Sequence, residues 1–126
     1  MAALIFDTGA LIAIERGDRA VGALLAAAAE SGVDVLTSST CVAQAWRNPS
    51  RQARLSRALS GMLERPLDPA EARRCGLLLS RSGTEDIADS ATAVLAEDDD
   101  TILTSDPSDI ERLLDAAGTK ARVRAV

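Results

Sequence analysis

Four aspartates, Asp7, Asp86, Asp89 and Asp106, stand where an α/β fold would gather them. Asp7 follows directly on the apolar run Ala3-Leu-Ile-Phe6, and Asp106 lies two residues beyond a second run, Thr101-Ile-Leu-Thr104. Short continuous apolar runs read as strands buried on both faces. In open α/β sheets the carboxyl ends of such strands form the binding crevice where strand order reverses, so acids at two of these ends converge. Asp86 and Asp89 are three residues apart near the start of a helical stretch, hence on one face. Convergent carboxylates with no lysine nearby repel unless a cation sits among them, and oxygen-only donors suit Mg²⁺ or Mn²⁺. Each acid also has a plainer use. Asp7 can serve a turn or cap, Asp86 can cap its helix, and Asp106 can be the N-cap before Pro107. The run Asp98-Asp99-Asp100 reads as a solvated loop.

Absences narrow the chemistry. The chain has no histidine, no tyrosine, one phenylalanine (Phe6), one tryptophan (Trp46) and a single lysine, Lys120. Serine–histidine–aspartate triads, cysteine–histidine pairs and histidine–zinc sites are excluded. Lys120 lies in Gly118-Thr-Lys-Ala, outside any phosphate-binding Gly-Lys-Ser/Thr loop. Two aromatics make no base-stacking platform. Carboxylates, hydroxyls, arginines and a metal are left to do any catalysis. Asp7-Thr-Gly-Ala10 matches the short signature of aspartic proteases, in which two carboxylates share a proton. Those enzymes are built of β-strands, whereas this chain is dominated by alanine- and leucine-rich helical stretches, and that reading is set aside. A response-regulator receiver needs adjacent acids after its first strand and a late lysine in the sheet, and the chain has neither.

The elements that must position these residues follow from the pattern. The 126 residues, 47% hydrophobic and 26% charged with a net charge of −5, suit one domain spanning 1–126. No apolar run is long enough for a membrane span, and the N-terminus lacks the basic leader of a signal peptide. Cys41 and Cys75 show no framework spacing, which fits a reducing, cytoplasmic setting. Strands are expected at 3–6, 33–37, 65–68, 101–104 and 122–126. Helices are expected over 10–15, 20–31, from the Ser38/Ser39 cap to about Arg47, from Pro49 to about Leu63, from the Asp68-Pro69 start to Arg81, from Thr84 or Glu85 to about Glu97, and from Asp106-Pro107 to Ala117. This alternation predicts a parallel sheet covered by helices on both faces.

Three segments, in order and spacing, carry a family likeness: Leu4-Ile-Phe-Asp-Thr-Gly-Ala-Leu-Ile12, Thr84-Glu-Asp-Ile-Ala-Asp-Ser-Ala91 and Ile102-Leu-Thr-Ser-Asp106. Over essentially its whole length the chain resembles a PIN domain, and within that family the ribonuclease toxins of VapBC toxin–antitoxin pairs. The resemblance implies a three-layer α/β/α sandwich around a mostly parallel sheet, Mg²⁺- or Mn²⁺-dependent endoribonuclease activity, a cognate antitoxin partner and a homodimer. It carries catalytic and metal-binding roles to Asp7, Asp86 and Asp106. Asp89, at a place often apolar in the family, becomes a further metal ligand, and Thr104 matches the hydroxyl that accompanies the last acid. One position departs: Cys41-Val-Ala-Gln44-Ala-Trp46 carries Gln44 where the family usually has glutamate. An amide adds no charge and cannot act as a base. The alternative is therefore a catalytically weakened PIN domain that binds RNA or an antitoxin.

The acidic balance is unevenly spread. No acid falls between Asp34 and Glu64, while Arg47, Arg51, Arg54 and Arg57 all do. Arg51 and Arg54 are expected on one face of the helix after Pro49. Beside an acidic mouth, Arg47, Arg51 and Arg54 are candidate contacts to RNA phosphates. The same arginines also suit a solvated face or a surface for an acidic antitoxin tail. Trp46 reads as a core or dimer-interface residue rather than a base platform. Cys75 reads as core, and Gly76, which costs about 1 kcal/mol of helix propensity, predicts close helix packing at that point.

Overall fold

The computed structural model describes residues 2–126. Five strands form one sheet: β1 (Leu4–Phe6), β2 (Val35–Ser38), β3 (Leu63–Arg65), β4 (Thr101–Thr104) and β5 (Arg122–Ala125). Their order is β3-β2-β1-β4-β5, and every pairing is parallel. Seven helices connect them: α1 (Thr8–Glu15), α2 (Arg19–Ser31), α3 (Ser39–Ala45), α4 (Ala53–Ser60), α5 (Pro69–Ser82), α6 (Ile87–Leu95) and α7 (Pro107–Ala117).

The period-2 alternation of side chains builds two cores, one on each face of the sheet. Leu4, Phe6, Val35 and Leu103 point to one side, where they meet Leu11 and Ile14 of α1, Val21 of α2, Cys41 of α3 and Leu55 of α4. Ile5 and Ile102 point to the other and meet Leu78 of α5, Ala93 of α6 and Ile110, Leu113 and Leu114 of α7. The result is the expected three-layer α/β/α sandwich. The chain runs outward from β1 through β2 to β3, then returns to place β4 and β5 on the opposite side. Strand order thus reverses between β1 and β4, and the crevice this creates lies past Phe6 and Thr104.

Several expected elements shift. The helix after Pro49 is broken into a 3₁₀ turn, Pro49–Arg51, and α4, which ends at Ser60. The cause is Gln52, which is buried between them. Its Oε1 accepts from the backbone N–H of Arg47 (2.9 Å) and Asn48 (3.0 Å), and its Nε2 donates to Ala45 O (2.8 Å). Strand β3 follows at Leu63–Arg65, earlier than residues 65–68. Helix α6 begins only at Ile87, because Thr84 turns inward onto the Ser82 hydroxyl (2.8 Å) and Asp86 takes the cap.

Asp100 is not solvated as expected. Its Oδ1 accepts from Ala3 N (2.7 Å) and its Oδ2 from Glu97 N (2.9 Å), bracketing the entries to β1 and β4. The Gly76 expectation also fails, since a side chain there would meet open space. Trp46 is half-buried against the first core, and both cysteines are buried and free.

Candidate metal centre

Asp7 leaves β1 and at once caps α1. Its Oδ1 accepts from Ala10 N (2.8 Å) and its Oδ2 from Ser105 N (3.2 Å), in the turn that follows β4. The second bond requires that turn to lie against the first turn of α1, and Gly9 makes room for it. A Cβ at Gly9 would collide with Cβ and Oγ of Ser105. The Asp-Thr-Gly order that resembles a protease signature is therefore a packing requirement here. Asp7 is only 2% exposed. Burial pushes its carboxyl above the ordinary value, while the Thr104 hydroxyl and the amides of Ala10 and Ser105 pull it back.

Asp86 fulfils its plainer role. It is exposed, and its Oδ1 accepts from Asp89 N (2.9 Å) as the cap of α6. Asp106 does not fulfil its own: it occupies the N-cap position of α7 but makes no capping bond with its side chain. Its backbone N–H instead donates to the buried Thr104 Oγ1 (2.8 Å), leaving the carboxylate uncommitted by capping. That carboxylate meets those of Asp89 and Asp109. One oxygen of each lies within 4.8 Å of the others, close enough to share a cation. Asp109 is the site residue that sequence reasoning missed. The available signal was its spacing, three residues past Asp106 in the first turn of α7, the same step that pairs Asp86 with Asp89.

The electrostatics express the crowding. Burial, and then repulsion from Asp86, Asp106 and Asp7, lifts the Asp89 carboxyl from 3.8 to about 7. Asp109 is raised as well, by partial desolvation and by Asp106 beside it. Helix α3 brings Gln44 to the same end of the sheet. Cys41 Sγ packs on the Ala88 carbonyl (3.7 Å) and the Thr92 hydroxyl (3.2 Å), and one turn later Gln44 Oε1 accepts from Thr8 Oγ1 (2.6 Å). Gln44 thus touches the residue next to Asp7, with its oxygen already engaged.

The sequence-selected arginines do not join the acids. Arg54 Nη1 reaches Glu15 O (3.5 Å) at the C-terminal end of α1, whereas Asp7 caps the other end. An eight-residue helix separates them by about 12 Å. Arg54 and Arg57, with Arg19, flank a groove of about 510 Å³ floored by Ile14, Leu25 and Ala58. Arg51 sits on the 3₁₀ turn, so the face it was expected to share with Arg54 is lost. Arg47 folds back on α3, donating from Nη1 to Ala43 O (2.9 Å) and Trp46 O (3.0 Å). The cation beside the acids is Arg112, whose Nη1 lies 4.0 Å from Asp109 Oδ1.

A five-stranded parallel sheet in this order, layered by helices and carrying acids at its switch point, defines a PIN-like α/β/α sandwich. The fold is similar to that of a chain in the crystal structure of VapBC2 from Rickettsia felis bound to a DNA fragment from their promoter. The likeness covers 97% of this chain and 98% of that one, with a TM-score of 0.68 and 15% sequence identity. At that identity it is a likeness of fold. No family profile matches the chain, and no curated protein matches it. No helix among the described residues is long and apolar enough to cross a membrane.

Proposed function

We propose that the protein is a Mg²⁺- or Mn²⁺-dependent endoribonuclease acting as the toxin of a type II toxin–antitoxin pair. The observation that carries this reading is the meeting of the Asp89, Asp106 and Asp109 carboxylates beside buried Asp7 at the switch point. The donor set fits a hard divalent cation because it is all oxygen, and burial with the repulsion of neighbouring carboxylates raises its Asp89 carboxyl to about 7. Asp7, Asp86, Asp89 and Asp106 would hold the ions, joined by Asp109. Ions bound there would supply an activated water at neutral pH and stabilise the leaving oxygen. The Asp7 carboxylate is held in place by the Ala10 and Ser105 amides before any ligand arrives, and the Thr104 hydroxyl holds the Asp106 backbone.

The PIN-like domain is taken to span 1–126 and to pair as a homodimer, as the resemblance implies, and to act in the cytoplasm, as its two free cysteines suit. The neighbour of similar fold belongs to a toxin–antitoxin complex, which supports an antitoxin partner. The groove between α1, α2 and α4, apolar in its floor and flanked by Arg19, Arg54 and Arg57, suits the acidic tail of such a partner. Arg47 and Arg51, both exposed, remain as proposed phosphate contacts.

The test is cleavage of single-stranded RNA. Cutting should require Mg²⁺ or Mn²⁺, and Asp7→Asn should abolish it by removing a charge from the centre. Cutting that persists in excess EDTA refutes the mechanism. A second reading, an RNA- or antitoxin-binding module without turnover, is favoured by Gln44, whose oxygen is engaged by Thr8. It predicts metal-dependent RNA binding with no product in the same assay.

A further inference from the structure

We propose that Arg112 is the residue that grips a substrate phosphate at the acid centre; this rests on the nuclease reading above. Helix α7 carries Asp106 at its N-cap, Asp109 in its first turn and Arg112 three residues further, so acids and guanidinium share one side of the helix. Arg112 is held lightly. Its Nη1 stands 4.0 Å from Asp109 Oδ1, beyond hydrogen-bond length, and its Nη2 donates to Ser82 O at 3.1 Å. Its side chain is 57% exposed, and an exposed pair at that distance contributes little to stability. A guanidinium has five N–H donors, and the Ser82 bond uses one.

The turn between α5 and α6 meets the end of this side chain. Gly83, in the left-handed conformation at φ 71°, ends α5, and a Cβ there would come within 3.3 Å of Arg112 Nη2. The guanidinium therefore lies between the turn that leads to Asp86 and Asp109 of its own helix.

A site lined with carboxylates repels a polyanion, and phosphate oxygens that face no ion need donors of their own. A planar fork with free N–H groups matches a phosphate bidentately. Among the described residues, Arg112 is the one arginine ion-paired to this acidic cluster, whereas Arg54 reaches a carbonyl at the other end of α1.

The experiment measures anisotropy of a fluorescein-labelled single-stranded 2′-O-methyl oligoribonucleotide, which resists cleavage, with Mn²⁺ over a range of NaCl concentrations. Thermal melts of the protein alone are followed in parallel as Mn²⁺ is added. Arg112→Ala should weaken oligonucleotide binding about tenfold and lower the salt slope by about 0.7, the value of one single-strand phosphate contact. Its Mn²⁺-induced melting shift should equal or exceed the parent's, because a cation has left the acid cluster. Arg112→Lys should keep the salt slope and recover part of the affinity. Parent-like affinity and slope in Arg112→Ala overturn the proposal alone. So does a loss that comes with a lost Mn²⁺ response and is not recovered by lysine, which marks a structural clamp. A parent protein with no Mn²⁺ response overturns the nuclease reading and this proposal together.

Discussion

Asp89 lies in the first turn of α6, half-buried, where Asp86, Asp106 and Asp7 all oppose its ionisation. Its carboxyl titrates at about 7 in the folded chain against 3.8 for the free group. The folded state therefore holds this proton more tightly than the unfolded state does. The stability linked to it is full below the unfolded value and is lost as pH rises through the folded one. In EDTA, Asp89→Asn should melt with the parent at about pH 4 and melt higher than the parent at about pH 8. Equal melting temperatures at the higher pH would mean that the carboxylates are not crowded in solution. The residue types behind this behaviour were legible in the sequence for Asp89 and Asp106. The membership of Asp109 was not, because a carboxylate in the first turn of a helix is an ordinary dipole-favouring choice and its spacing alone does not say what it faces.

At the scale of elements, the contact that matters most is the first turn of α1 against the turn after β4. Gly9 and Ser105 stand almost on top of one another, and the Asp7–Ser105 bond depends on that approach. Gly9→Ala should destabilise by about 1–3 kcal/mol through overpacking, measured by urea unfolding, and should also reduce metal-dependent cleavage. Gly9→Ala combined with Ser105→Gly should recover most of the loss, because the clash is chiefly with the serine side chain. No recovery would place the strain elsewhere. Two element ends set by local caps followed the sequence, whereas α1 and α6, capped by Asp7 and Asp86, start at Thr8 and Ile87 rather than at the expected positions. Asp68-Pro69 starts α5, and α7 runs over Pro107–Ala117 as its Asp-Pro signature and trailing glycine predicted. Others departed where a distant partner decided. Gln52 splits the helix after Pro49 by folding back on residues 45–48, and Asp100 is drawn inside by an amide 97 positions away.

For the whole molecule, the sheet separates two cores that share few side chains. Leu55 is fully buried in the layer formed by α1–α4, and Ile110 is fully buried beneath α5–α7. Truncation of either to alanine should cost about 2–5 kcal/mol. The two costs should add within about 0.5 kcal/mol in denaturant unfolding, since the two side chains lie in separate cores with the sheet between them. Strong coupling between them would mean that the layers deform together. The sequence by itself determined the alternation of strands and helices, the parallel sheet, and the placing of Asp7 and Asp106 just past strand ends. These follow from periodicity and capping, which act over a few residues. Only the tertiary structure decided which charges meet. It brought Asp89 of α6 up to Asp106 and Asp109 of α7 and sent Arg54 to the far end of α1. Those outcomes depend on strand order and on how helices dock across the sheet, between residues tens of positions apart, and no local pattern carries that information.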